Sequence, residues 1–350
     1  MSAKLRVGIA GYGVVGQRRR RFIDAHPRLR VVAVSDAKFA RDGSMADGVQ
    51  SYADYRDLIA HQKLDALFVC LPNFLAADAA VRGLQSRLHV FCEKPPGRDL
   101  ADVSRVRAAE AKARGLKLKY GFNHRYHDSV REALKIVRSG RLGRVLNLNG
   151  VYGKSQIIPF DKGWRAERRR AGGGILLDQG IHMVDLMRLF AGDFAEVRSV
   201  VSNSFWKHDV EDNAYALMKT KGGIVALLHS SATQWRHRFN LDIALEKGSL
   251  TLSGILSGSK SYGAETLTVA RASRGDAGDP REVTTRYNED NSWRDEVFEF
   301  AACVLENKPI VNGSSLEALK TMELIYRIYC ADPAWKRRYR LSDRVPKAAR

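Results

Sequence analysis

Two kinds of hydrophobic spacing divide the chain. In the first third, short continuous apolar runs alternate with amphipathic stretches. The runs predict strands at residues 5–10 (LRVGIA), 29–35 (LRVVAVS), 65–71 (DALFVCL), 89–92 and 117–121. Between them, helical spacing predicts a helix ending near residue 25, a short one at 45–49, and others at 54–61, 76–87 and 100–114, the last capped by Asp99. Strands buried on both faces and joined by helices imply right-handed crossovers and a parallel, doubly wound sheet. Near residue 123 the pattern changes. A helix at 128–139 and a strand beginning at 145–152 precede a loop, a glycine triplet at 172–174 and a helix at 175–190. Strict alternation then predicts strands at 197–204, 213–219, 223–231, 239–245, 249–252 and 265–270, a large and mostly antiparallel sheet. A polar loop occupies 274–280, and amphipathic helices are predicted at 292–307 and 314–330. The expected organisation is a Rossmann-type domain at 1–122 and an α/β domain at 123–312. A C-terminal helix at 313–330 and a loosely ordered basic tail at 331–350 follow.

The first strand runs into Gly11-Tyr12-Gly13-Val14-Val15-Gly16, and a helix follows. In that context a G-x-G-x-x-G run suits a dinucleotide. One glycine permits the turn, the next lets backbone approach a pyrophosphate, and the third lets helix pack on strand. The pyrophosphate then meets the positive end of the helix. Asp36 closes the second strand, where a carboxylate accepts from the ribose hydroxyls and repels a 2′-phosphate, so NAD is expected. Lys38 and Arg41, within reach of a phosphate, leave NADP open.

Two further segments carry chemistry. Glu93-Lys94-Pro95-Pro96 sits at the carboxyl end of a parallel strand, where ligands of such sheets bind. The Lys94 ammonium can polarise a substrate oxygen, and Pro95 restricts Lys94 to extended backbone. In the run GGGILLDQGIHMVD, Asp178 and His182 are four apart and share a helix face, with Asp185 one turn on. His182 is suited to exchanging a hydroxyl proton. Read alone, this segment is better described as a capped helix with a satisfied core histidine. Asn123, His124, Arg125 and Tyr126 are expected to enter the cleft. Tyr152, Lys154 and Gln156 could line it, as could Trp206, His208, Asp209, Glu211, Asp212 and Asn213. Trp235 and Trp293 are assigned to core or interface.

Composition adds an excess of charge. Lys and Arg total 58 against 39 Asp and Glu, a net +19, with 45% hydrophobic residues. The positive charge gathers at Arg18–Arg21, at Arg168–Arg170 and at Lys336–Arg340. No nucleic-acid-binding motif accompanies it, so these clusters are read as solvated surface. Arg168–Arg170 would suit a phosphorylated or nucleotide-linked substrate if it reached the cleft. Four scattered cysteines form neither a metal-ligand pattern nor a disulfide framework, which agrees with a reducing cytoplasm. No apolar segment approaches the ~20 residues of a membrane span. No metal site is expected.

Together, the glycine fingerprint, Glu93-Lys94-Pro95 and GGG-x-x-x-D-x-G-x-H-x-x-D resemble the glucose–fructose oxidoreductase / inositol dehydrogenase (Gfo/Idh/MocA) family, over roughly residues 4–330. The resemblance implies an N-terminal Rossmann domain and a C-terminal α/β domain with an open sheet that joins subunits into a homodimer or homotetramer. It implies hydride transfer between a nicotinamide and a hydroxyl or ketone carbon of a sugar, cyclitol or nucleotide-sugar. Lys94, Asp178 and His182 would be catalytic. Glu93 would lie near the nicotinamide. Leu71-Pro72-Asn73 resembles the family's Thr-Pro-Asn loop over the cofactor, and Trp164-Arg165 a pair approaching it from the second domain. Asn123 joins the cofactor set, and Arg125 and Tyr152 join Lys94, Asp178 and His182 on the substrate side. Leu71 and Ala76 depart from the family's Thr and His at those positions. An NAD-dependent glycosidase and a non-catalytic redox sensor are the other readings.

Overall fold

A computed structural model describes residues 4–158, 163–257, 262–273, 275 and 277–346. The first sheet contains β1 (Leu5–Ala10), β2 (Leu29–Ser35), β3 (Gly43–Ser44), β4 (Gln50–Tyr52), β5 (Ala66–Val69), β6 (His89–Glu93) and β7 (Leu118–Gly121). They lie in the order β3-β4-β2-β1-β5-β6-β7, and only the β3/β4 pair is antiparallel. Its helices are α1 (Val14–Asp24), α2 (Tyr55–His61), α3 (Asn73–Gln85) and α4 (Leu100–Lys112). The order reverses at β1, which pairs with β2 on one side and β5 on the other. A crevice at such a switch point is where ligands of doubly wound sheets bind.

A 3₁₀ turn (Asn123–Tyr126) and α5 (Asp128–Arg138) lead into β8 (Val145–Ser155). A second 3₁₀ turn (Trp164–Ala166), α6 (Arg168–Ala171), one π turn (Leu176–Gly180) and α7 (Ile181–Ala191) follow. The second sheet is completed by β9 (Phe194–Ser202), β10 (Asn213–Thr220), β11 (Val225–Gln234), β12 (Arg238–Leu245), β13 (Gly248–Ser253), β14 (Glu265–Arg271) and β15 (Arg281–Tyr287). Its order is β15-β14-β13-β12-β8-β11-β10-β9, antiparallel except for β8 against β11. In the 274–280 loop, Arg274 and Asp276 lie outside the described residues.

The chain then returns to the first domain, and it does so with α8 (Ser292–Leu305) rather than after residue 312. Val297, Phe300 and Ala301 of α8 join the core of β1, β2, β5 and β6. Phe300 meets Phe68 and Phe91 edge-on. α9 (Ser315–Ala331) bridges the domains: Tyr326 donates to the Arg98 carbonyl, and Ser199 of β9 donates to the Ile328 carbonyl.

Three local expectations are corrected. Residues 45–49 form a turn between β3 and β4, closed by Met45 N to Val49 O at 2.8 Å, with Gly48 at φ +82°. Asp47-Gly48 is a turn signal that outweighs the helical spacing. The Arg18–Arg21 run is not wholly a solvated face. Arg19 is fully buried, its guanidinium donating to Glu93 and Glu296 at 2.6 Å each and lying over the Phe91 and Trp293 rings. The tail beyond 330 is ordered at first, as α10 (Pro333–Tyr339), with Trp335 buried; residues 347–350 lie outside the described set.

Pro333 opens α10, and Asp332 caps it by accepting from the amides of Ala334 and Trp335. The other Asp332 oxygen accepts from Val201 N of β9 at 2.8 Å. Asp332→Ala is therefore expected to destabilise the fold by about 1–2 kcal/mol. A lowered urea midpoint with an unchanged slope would register it, and a wild-type midpoint would mean that α10 does not hold β9.

Candidate active site

The glycine turn at the end of β1 has three distinct requirements. Gly11 has φ +93°, and a Cβ there would strike the Cys70 carbonyl at the end of β5. A Cβ at Gly16 would strike the Gly11 carbonyl. At Gly13 a Cβ would meet nothing within 4 Å, so the backbone faces open space at the start of α1. Val14, the first helical residue, is also largely exposed. An open, glycine-lined helix N-terminus is a cradle for a pyrophosphate. Asp36 is held beside it, accepting from the amides of Tyr12 and Lys38 at 3.0 Å each. Both carboxylate oxygens retain lone pairs for ribose hydroxyls. On these features the residues present fit a dinucleotide.

From that cradle the crevice continues past Asn73, whose side-chain amide donates to the Ala171 carbonyl at 2.7 Å. This bond ties the Leu71-Pro72-Asn73 loop to α6 of the second domain. Phe74 meets Trp164 edge-on at 6.2 Å, and the Arg165 guanidinium covers the Trp164 ring. Residues 159–162, which lead into this pair, lie outside the described set.

Beyond lies the cluster containing the predicted catalytic residues. Lys94 ends the β6 segment and precedes a cis proline. Its Nζ donates to the Asp178 carbonyl at 2.6 Å. The Asp178 carboxylate lies 3.7 Å from Arg165 Nε and is about one-third exposed. His182 is buried. Its ring stacks on that of His124 with centroids 3.7 Å apart and planes 12° from parallel. His182 Nδ1 is buried without a hydrogen-bond partner in the protein. Burial, then the neighbouring His124, Lys94 and His127, hold the His182 imidazole well below the ordinary histidine range. Burial likewise lowers Lys94, against the opposing pull of Asp178 and Glu93. The arrangement offers a neutral imidazole, a lysine ammonium and a partly exposed carboxylate.

The glycine triplet serves the protein rather than a ligand. Gly172 has φ +88°, and Cβ atoms at 172, 173 and 174 would strike the Arg98 carbonyl, the Tyr329 hydroxyl and the Glu211 carbonyl. Glu211, considered for substrate contact, is fully buried and accepts from Gly174 N, Leu176 N and the Tyr329 hydroxyl. Asp212 likewise accepts from Phe205 N and Trp206 N. Glu211 thus shapes the entry to the π turn, and Asp212 the loop at Phe205 and Trp206.

Other predicted residues are distributed unevenly. Asn123 bridges the Ser292 hydroxyl and His124 Nδ1. Tyr152 is buried, its hydroxyl 3.2 Å from His124 Nε2, one residue removed from His182. Arg125 points away from the cleft. It makes a two-pronged pair with Asp185 at 2.6 and 2.7 Å and a third contact with Glu317. Glu93 is committed to Arg19. Arg168 turns inward beneath Tyr329, Trp335 and Tyr339, while Arg169 and Arg170 line a separate cleft of about 430 Å³ with Phe74 and Arg98. The aromatic neighbours Tyr262 and His237 were not singled out in the sequence. The Tyr262 hydroxyl donates to Gln179 Oε1 at 2.9 Å, and the His237 ring packs edge-on against Tyr262. Alternation in β8 and β12 points residues inward, but only tertiary packing brings Tyr262 to the π turn.

No cluster of three or more His, Cys, Asp or Glu side chains fit to hold a metal occurs among the described residues. Nor is any described helix long and apolar enough to cross a membrane.

Residues 5–122 match the model of an oxidoreductase family with an NAD-binding Rossmann fold, and residues 130–251 match the GFO/IDH/MocA C-terminal domain. An uncharacterised oxidoreductase of Bacillus subtilis is 29% identical, over 66% of this chain and 68% of its own. Inositol 2-dehydrogenase of Salmonella typhimurium is 28% identical, over 72% of this chain and 75% of its own. Among solved structures, levoglucosan dehydrogenase in complex with NADH and L-sorbose superposes with a TM-score of 0.83 at 20% identity, covering 95% of this chain and 97% of that one. The aldose-aldose oxidoreductase of Caulobacter crescentus superposes at 0.80 with 25% identity, over 95% and 98%.

Proposed function

Because the chain belongs to the Gfo/Idh/MocA oxidoreductase family and carries its NAD-binding Rossmann domain, we propose that it moves hydride between NAD(H) and a ring carbon of a sugar or cyclitol. The carrying observation is that Lys94 bonds the backbone of Asp178 while lying close enough to His182 for its charge to act on the imidazole. Bound NAD supplies the hydride acceptor. The chain's own residues do the rest. His182, kept neutral by burial, takes the hydroxyl proton. Lys94 donates to the same oxygen, where charge builds as its proton leaves. The Asp178 carboxylate accepts from neighbouring ring hydroxyls and so fixes which carbon presents its hydrogen. Trp164 and Arg165 close the cleft over the reacting ends.

The assay is formation of reduced nicotinamide by purified protein with NAD and a panel of inositols, free sugars, glycosides and nucleotide-sugars. A rise with one class, lost in His182→Ala, supports the reading. Release of an aglycone without net NADH would instead indicate a redox-assisted glycosidase. Inertness towards every member in both directions, despite NAD binding, would leave a redox sensor.

Asp36 governs cofactor choice in this reading. Asp36→Ser is expected to weaken NADH binding by about tenfold to a hundredfold, since a hydrogen bond to a charged group contributes about 1.5–3 kcal/mol. NADPH should lose nothing or gain, because a repelling carboxylate is gone. Fluorescence titrations with both cofactors check this, and an unchanged ratio of affinities would remove Asp36 from the ribose site.

We further infer a homo-oligomer built on the second sheet. Val200, Tyr215, Leu217 and Leu227 are exposed on β9, β10 and β11, and Tyr215 stacks on His229 across the β10/β11 pair. A contiguous apolar row on an open sheet face fits a second copy of the same face.

A further inference from the structure

We propose that His124 is a positioning residue for the reaction, fixing the His182 ring by a face-to-face stack while its own ring edge is anchored by Asn123 and Tyr152. This inference rests on the hydride-transfer reading of the same site. Its geometry is independent of any substrate. The two imidazoles lie 3.7 Å apart at 12°, and both are buried. A stacked ring cannot tilt, so the plane of His182 is set although its Nδ1 has no protein partner.

His124 is itself held on both edges. Nδ1 lies 3.3 Å from Asn123 Oδ1, and Nε2 lies 3.2 Å from the Tyr152 hydroxyl. Nδ1 thus meets a side-chain amide oxygen and Nε2 a phenol hydroxyl, so both edges of the His124 ring have a polar partner. The anchors are rigid. Asn123 also donates to Ser292 of α8, and Tyr152 packs edge-on against Phe239 and Tyr262. Tyr262 in turn donates to Gln179, next to Asp178. The contacts therefore run from the first domain through His124 to the second sheet and return to the π turn that bears Asp178.

The stack also bears on protonation. The groups facing His182 are Lys94 from the end of β6, His124 and His127 from the 3₁₀ turn and its flank, and Tyr152 from β8. A proton on either stacked ring opposes a proton on the other, beside an ammonium that opposes both. His182 thus stays a competent base down to lower pH than a solitary buried histidine beside Lys94 would.

The test compares His124→Phe, which keeps an aromatic ring in the stack, with His124→Gln, which removes it. The first readout is the titration of His182 by NMR of isotope-labelled imidazole in NADH-bound protein. In the wild type the His182 midpoint should lie well below the ordinary histidine value. In His124→Phe it should rise measurably above the wild-type midpoint, because the opposing charge is gone. The second readout is kinetic. His124→Gln should lower kcat about tenfold to a hundredfold with little change in KM, as expected for a misaligned base. Wild-type values of both the midpoint and kcat in folded variants overturn the proposal. If one variant fails to fold, as seen by circular dichroism, the other decides. If the wild type turns over no polyol, the hydride-transfer reading fails, and the His182 midpoint still decides what His124 does.

Discussion

Lys94→Ala is expected to lower kcat by about three orders of magnitude while leaving NADH affinity nearly unchanged. The ammonium donates to the Asp178 carbonyl at 2.6 Å and retains further N–H donors for a substrate oxygen. Removing it leaves the developing alkoxide without its nearest charged donor in a half-buried site. Truncation leaves the glycine cradle and Asp36 intact. Steady-state kinetics on the polyol identified in the reduction assay, with an NADH titration alongside, measure both quantities. A fall in kcat of less than about tenfold would mean that the oxygen is polarised elsewhere. The same residue sets the alkaline limb. Lys94 acts only when protonated and burial lowers its pKa, so activity should be lost as pH rises through a midpoint below the ordinary lysine value of about 10.4.

The largest effect on stability is expected at Arg19. Its guanidinium is fully buried between Glu93 and Glu296, so Arg19→Ala leaves two carboxylates facing each other under α8. Breaking a buried pair in this way costs about 3–5 kcal/mol. The loss should depend on pH with a definite sign. Burial pushes the Glu296 carboxyl up to about 7 even with Arg19 in place. A folded-state value above the unfolded one means stability is greatest at low pH and declines as pH rises towards that value. Without the guanidinium, Glu296 holds its proton still more firmly. The deficit of Arg19→Ala should therefore be smaller at pH near 5 than near 8, by urea denaturation at both. A deficit that is the same at both would show that Glu296 is ionised in the fold.

Much of this molecule was legible in its residues, for physical reasons. Strands β1, β2 and β5 are continuous apolar runs because both faces are buried, and the alternation of β9 to β14 reflects a sheet with one open face. Lys94, Asp178 and His182 could be named because strand ends and helix spacing are local. What escaped was long-range. Arg19 reads as one of four surface arginines until Glu296, distant in sequence, is seen beside it. Arg125 reads as a cleft residue until Asp185 and Glu317 claim it. Asp332 and Pro333 do announce α10, but the charge of the tail obscured them.

The π turn at Leu176–Gly180 has an evolutionary consequence. Such a turn arises when a helix accommodates one extra residue without being interrupted. Here it lies between the glycine triplet and α7, so the count of residues, together with the holds of Lys94 and Tyr262 on the turn, sets the angle at which Asp178 stands relative to His182. Loss of one residue within it would rotate the carboxylate by about 100° around the helix axis, since 3.6 residues make a turn. Lineages sharing this helix can therefore exchange almost any side chain around the site gradually, yet the length of this short segment can change only at the expense of the active site's handed arrangement.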